Sequence, residues 1–270
     1  MNVKPTGFNT PLSFQQILSW ILILYWTGIY FSLLVSIKYC LAIVLMTAIY
    51  TFLFGFLLYF GIKITKSDPT DPYITQFKLS LRTTTPFSGD YNNFCALCHS
   101  PVHDESKHCM ICYRCVDNFD HHCTWVNNCI GKLNYQIFMK LIFNLEILLI
   151  LIIAAGIDNI CMFYYDNNMY IQLLESILYL HSAKISLVLV MISTISAGIV
   201  SFFNGYLIIF HLWLIKRKMT TYQYLSKDSM PKKAQVSAER TGESKSNDPE
   251  IQALNNSDRE NQESSKIVNR

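Results

Sequence analysis

Charge is what this sequence has least of. Asp, Glu, Lys and Arg make up 15% of its 270 residues, against about 25% in an ordinary soluble domain. That shortage argues against a soluble bundle, whose long helices need a polar face. A strong excess of one sign is also missing. The net charge is only +3, so nucleic acid is not expected as a partner. A short apolar leader with a small-residue cleavage site is absent from the first 40 residues, and no cleavage is expected there.

Long apolar runs are abundant. Four stand out, Ile17–Ile37, Cys40–Ile64, Ile137–Phe163 and Ile185–Ile215. Each is near or above the ~20 residues a helix needs to cross a bilayer. The expected fold is an α-helical polytopic membrane protein with four transmembrane helices and a cysteine-rich domain between the second and third. The basic residues set its orientation. Lys63, Lys66, Lys78, Arg82, Lys107, Arg114 and Lys132 fall between runs two and three, and Lys216, Arg217 and Lys218 follow run four. The loop between runs three and four has only Lys184 at its edge. The positive-inside bias puts residues 65–136 and both termini in the cytosol.

This divides the chain into a lead and helical hairpin (1–64), a cytosolic connector and cysteine-rich domain (65–136), a second helix pair (137–215) and a tail (216–270). The connector over 65–94 reads as extended, with turns at Asp68-Pro69 and Asp71-Pro72. From residue 226 on, the tail has few large apolar side chains and reads as disordered. The sequon at Asn255 lies in that tail and is expected to carry no glycan. No internal repeat of solenoid length is evident.

Seven of the nine cysteines lie between Cys95 and Cys129. The order is Cys95-x2-Cys98-x9-His108-Cys109-x2-Cys112-x2-Cys115-x4-Asp120-His121-His122-Cys123-x5-Cys129. In a reducing compartment disulfides are disfavoured, and Cys-x2-Cys pairs interleaved with histidine point to zinc. The segment has too little apolar material for a core of its own and needs a staple. Two structural zincs take eight ligands. Setting aside His99 and His103, seven cysteines and three histidines are on offer. The Cys-x2-Cys repeats claim Cys95, Cys98, Cys109, Cys112 and Cys115. One cysteine and one histidine remain unclaimed among His108, His121, His122, Cys123 and Cys129. A spare thiol beside a spare histidine is the arrangement nucleophilic catalysis needs. Asp120, His121 and Cys123 would supply orienter, base and nucleophile. A purely structural cluster with two surplus ligands is the alternative at this point. A membrane-anchored ubiquitin ligase of the RING type would need a final Cys-x2-Cys pair, and the last ligand here is the lone Cys129.

The segment resembles the cysteine-rich domain of the Asp-His-His-Cys (DHHC) protein S-acyltransferases. The likeness continues through Trp125, through Asn127-Asn128-Cys129-Ile130-Gly131, and through Asn134 and Phe138 at an Asn-x3-Phe spacing. The resemblance implies a multi-pass enzyme that moves a long-chain acyl group, palmitoyl above all, from acyl-CoA to cysteines of substrate proteins near the cytosolic face of a membrane. It implies one zinc on Cys95, Cys98, His108 and Cys115 and a second on Cys109, Cys112, His122 and Cys129. Cys123 is then the acylated nucleophile, His121 its base and Asp120 the residue that orients the base. The site is expected on an endomembrane or the plasma membrane, in contact with lipid. The sequence departs from the family pattern at Thr124, where Pro is usual, and at Val102, His103 and Glu105. It also departs at Thr70 of Asp68-Pro69-Thr70 and at Gln223 of Thr220-Thr221-Tyr222-Gln223. The departures at Thr124 and Gln223 give the alternative of a weakly active membrane adaptor its only footing.

Lys140 and Glu146 are charges within the third run, where an ionisable group is a functional candidate by default. Lys140 lies near enough to the run's end to snorkel. Glu146 is expected to pair with another helix or line the acyl cavity. Asn204 and His211 are expected to form helix–helix hydrogen bonds.

Overall fold

The computed structural model describes residues 4–34, 40–83, 86–87, 89, 91–166, 168, 171–172 and 183–229. The expected tail disorder beyond 229, the Asn255 sequon and most of the 164–184 loop lie outside these residues. The chain divides into two units between Thr221 and Tyr222. In the second, the described residues, 222–229, belong to the helix α6, Thr221–Ser229, whose first residue lies in the first unit.

Four helices of the first unit are long and apolar enough to span a membrane. They are α1 (Phe14–Leu33), α2 (Cys40–Lys66), α4 (Tyr135–Tyr165) and α5 (Ala183–Lys216). Ser13 caps α1, its hydroxyl accepting the Gln16 amide. The helices pack around a core in which Trp26, Tyr30, Tyr50 and Leu149 are buried. Tyr30 and Tyr50 stack with ring centroids 3.9 Å apart. The helices α4 and α5 lie close along their length. A Cβ on Gly156 would come within 2.0 Å of the Thr194 hydroxyl, so only glycine allows this approach.

Polar side chains within the bundle bridge α4 and α5. Glu146 accepts from Ser201 Oγ at 2.6 Å and from Asn204 Nδ2 at 2.8 Å. Asn204 also donates to the Ile142 carbonyl, and His211 Nδ1 lies 3.0 Å from the Tyr135 hydroxyl. At 31 and 34 residues, α4 and α5 exceed a bilayer core of about 30 Å. The first turns of α4 and the last turns of α5 meet the cysteine-rich domain.

Residues 65–94 are not wholly extended. Pro72–Thr83 form the helix α3. Its start is the Asp71-Pro72 dipeptide, read from the sequence as a turn. Asp71 Oδ1 accepts the Tyr73 amide at 2.9 Å, and Pro72, which has no N–H to leave unpaired, takes the first helical position. The same buried carboxylate accepts the His103 amide and the Ser106 hydroxyl, and so pins the loop between the first two hairpins. Asp68 does make a local turn, accepting the Thr70 amide.

The cysteine-rich domain is three antiparallel hairpins. They are β1–β2 (Asn93–Cys95, Ser100–Val102), β3–β4 (Lys107–Cys109, Arg114–Val116) and β5–β6 (His121–Cys123, Asn128–Ile130). They repeat every 14 residues, and Cys95, Cys109 and Cys123 take the same place in each. The residue that closes each turn has positive φ, 47° at His99, 51° at Tyr113 and 52° at Asn127. The next residue, Ser100, Arg114 or Asn128, is a buried polar side chain in all three.

Candidate active site and metal centres

The repeat explains how the ligands assemble. In the second hairpin His108 pairs across the strands with Cys115, and in the third His122 pairs with Cys129. Each such pair meets the Cys-x2-Cys turn of the hairpin before it. The atoms of Cys95, Cys98, His108 and Cys115 lie within 4.8 Å of one another, as do those of Cys109, Cys112, His122 and Cys129. His108 Nδ1 is 3.7, 3.3 and 3.7 Å from the sulfurs of Cys95, Cys98 and Cys115. His122 Nδ1 is 3.8, 3.4 and 3.6 Å from those of Cys109, Cys112 and Cys129. A tetrahedral zinc with ordinary bond lengths sets nitrogen and sulfur about 3.6 Å apart. Both sets therefore fit a structural Cys3His zinc. Without a cation these thiols compete for charge. Hydrogen bonds from Cys112 and Cys129 push the Cys109 thiol down, and its bond to Cys109 pushes Cys129 up. A divalent ion would relieve that conflict by taking all three as thiolates.

Strand alternation separates ligand from base. On β5, His122 faces the metal set, while His121 and Cys123 project to the opposite side, toward the helices. There Cys123 joins an apolar cluster with Ile64 of α2, Phe138, Met139 and Ile142 of α4, and Ile208 of α5. Asp120 is buried and holds His121 Nδ1 at 2.7 Å. The Nδ1–H donates to the carboxylate, which leaves the other ring nitrogen for Cys123. Burial opposes charge on His121, but the Asp120 and Cys123 hydrogen bonds outweigh it and raise its pKa to about 9. Burial likewise opposes the Cys123 thiolate. The contact with His121 and the amides of Val126 and Trp125 prevail, and its pKa is lowered. Both shifts, His121 up and Cys123 down, favour the imidazolium–thiolate form of the pair.

Three residues named from the sequence were not assigned to this site. Thr221 donates its amide and hydroxyl to the Asp120 carboxylate, at 2.9 and 2.8 Å. It lies 101 residues downstream, and only its place in the Thr-Thr-x-Glu-like stretch could have flagged it. Phe138 packs edge-on against His121 with centroids 5.3 Å apart, and His211 lies tilted beside it at 5.9 Å. Asp120, His121 and His211 are close enough to suggest a third metal site. Asp120, however, already accepts from His121 and twice from Thr221. These groups form a hydrogen-bonded relay rather than an open donor set.

A buried thiol, an adjacent histidine and a carboxylate, set by hairpins whose Cys3His sets fit zinc at one end of a four-helix membrane bundle, define a membrane-embedded cysteine transferase. The family model described as DHHC palmitoyltransferase matches residues 88–228, more than half of the chain. The chain belongs to the DHHC palmitoyltransferase family and is a protein S-palmitoyltransferase. No curated protein matches it.

Proposed function

We propose that this enzyme transfers palmitoyl from acyl-CoA to substrate-protein cysteines through a thioester on Cys123. His121 holds the Cys123 proton as an imidazolium. The thiolate attacks the thioester carbonyl carbon of the acyl-CoA. The bond from that carbon to the CoA sulfur breaks, and the leaving sulfur takes the proton from His121. In the second half, His121 removes the proton of a substrate thiol, which attacks the acyl-enzyme carbonyl and frees Cys123. One thioester is exchanged for another, so no ATP is needed. Asp120 keeps His121 in the tautomer that faces Cys123, and Thr221 keeps Asp120 turned toward it. The two Cys3His sets would hold zinc, which supplies structure and no chemistry to the transfer.

The observation that carries this reading is the placement of Cys123. It is the cysteine of the cluster outside both metal sets, it touches His121, and it opens onto apolar side chains of three helices. An acyl chain exposed to water costs about 0.8 kcal/mol per methylene, so a thioester at this position needs such a surface beside it. The basic residues between α2 and α4 and after α5 support a cytosolic site. Substrates are then proteins with cysteines close to the cytosolic membrane surface.

The test is labelling with radioactive palmitoyl-CoA in detergent, followed by hydroxylamine. Wild type is expected to carry hydroxylamine-labile label, and Cys123→Ser none, with two zincs per chain in both. Absence of label on a wild type that retains two zincs would replace the transferase reading with the adaptor one.

A further inference from the structure

Each zinc would close the turn of one hairpin. The turns of the first two hairpins hold Cys95 with Cys98 and Cys109 with Cys112. The third holds Cys123 with Val126, and no ion closes it. It is nevertheless the turn whose amides point at the reactive sulfur.

The N-terminal segment takes the place of the missing ion. Lys4 donates its backbone amide to the Cys112 carbonyl at 3.1 Å. Its ammonium group donates to Asn127 Oδ1 at 2.9 Å and to the Pro11 carbonyl at 2.8 Å. Asn127, buried at the left-handed corner of the turn, donates back to the carbonyls of Gly7 at 3.0 Å and Pro11 at 3.3 Å. The Ser13 hydroxyl donates to the Thr124 carbonyl. Gly7 is anchored to the end of α2 through the Thr65 carbonyl at 2.7 Å. A Cβ on Gly7 would fall 2.2 Å from the Val126 carbonyl, so the segment lies directly against the turn. The matching corners of the other hairpins, His99 and Tyr113, carry no such clamp among the described residues.

We infer that Lys4–Ser13 is a strap that substitutes for a metal in the third hairpin. Lys4 and Asn127 are positioning residues: they hold Thr124–Asn127 so that the Trp125 and Val126 amides meet the Cys123 sulfur. This rests on Cys123 being the nucleophile.

Asn127→Gly tests it cleanly, because glycine keeps the left-handed corner while removing the clamp. Lys4→Met tests the other side, and Lys4→Arg restores donors. Full-length proteins are compared in single-turnover acyl-enzyme formation at varied palmitoyl-CoA, in zinc content, and in iodoacetamide alkylation read on the Cys123 peptide. Asn127→Gly and Lys4→Met are expected to slow the saturated rate about tenfold, the scale of a small misplacement. Alkylation of Cys123 slows with it, two zincs stay bound, and the palmitoyl-CoA concentration for half-saturation is unchanged. Lys4→Arg and the control His99→Gly stay near wild type. Wild-type rates in both test variants would overturn the strap, and so would zinc loss in step with activity. A failure of the nucleophile reading would look different: the wild-type label would sit elsewhere than on Cys123.

Discussion

The first two hairpins and the third share one backbone turn and part company at the residue that would supply its second ligand. Cys95 and Cys109 stand at the head of a turn that ends in Cys98 or Cys112, and both sulfurs go to a metal set. Cys123 stands at the head of the same turn, receives the same kind of amide contacts, and finds Val126 where the second ligand would be. The series also runs out. The first two turns are completed by the cross-strand pair of the next hairpin, and no fourth hairpin follows Ile130 among the described residues. The proposed nucleophile, Cys123, thus occupies a ligand position that belongs to neither metal set. A zinc knuckle is built to favour thiolate, so removing the ion and adding His121 turns a structural site into a reactive one.

The largest test of that contrast sets Cys112→Ser against Cys123→Ser. The first removes a ligand from a site of the kind worth about 10–16 kcal/mol of folding energy. It is expected to lose one zinc per chain by elemental analysis and to abolish acylation through collapse of the domain. The second is expected to abolish acylation with both zincs in place. Equal zinc loss in the two would erase the distinction between the hairpins.

Asp120→Asn should have the next largest effect, on the order of 10²- to 10⁴-fold in acyl-enzyme formation. The pH profile gives the sign. The reactive pair exists above the lowered Cys123 pKa and below the His121 pKa of about 9. Loss of the carboxylate removes what holds that imidazolium, so the alkaline limb moves to lower pH. An alkaline limb that stays near 9 would mean that Asp120 does not support His121.

Val126→Cys sharpens the comparison at the position where the third turn lacks the second cysteine. It completes the missing turn and gives Cys123 a partner for metal or oxidation. A several-fold loss of acylation in added zinc, recovered with a weak chelator, is expected. Indifference to zinc would show that the third turn cannot close around an ion.

Much of this was legible in the sequence. The four apolar runs place the spanning helices to within a few residues at each end, because lipid demands unbroken hydrophobicity and little else competes with it. The metal sets were not settled by spacing, which left His108, His121, His122, Cys123 and Cys129 open. The resemblance to the family assigned them, and the folded hairpins assemble the same two sets. The 14-residue period was present in Cys95, Cys109 and Cys123, but reading in Cys-x2-Cys pairs hid it, since Val126 breaks the third pair. The helix α3 was missed although Asp71-Pro72 is a cap followed by a favoured first residue and Tyr73, Ile74 and Phe77 share one face, because the Thr, Ser, Pro and Asp on either side made the whole stretch read as a connector. Thr221 and the Lys4–Asn127 clamp join residues more than 100 positions apart, and no local pattern encodes such pairings.

Asn128 carries a further consequence. Its amide donates to the carbonyls of Ile64 and Ser67, at 2.9 and 2.8 Å, and its oxygen accepts from Arg114. It is also paired across the strands with Cys123. The reactive sulfur is thus referenced to the last turn of α2 and not to a tether. Its height above the hydrocarbon is a property of helix length, at about 1.5 Å per residue. Under the proposed mechanism this works as a ruler held normal to the bilayer, and the elevation of a substrate cysteine decides whether Cys123 can reach it.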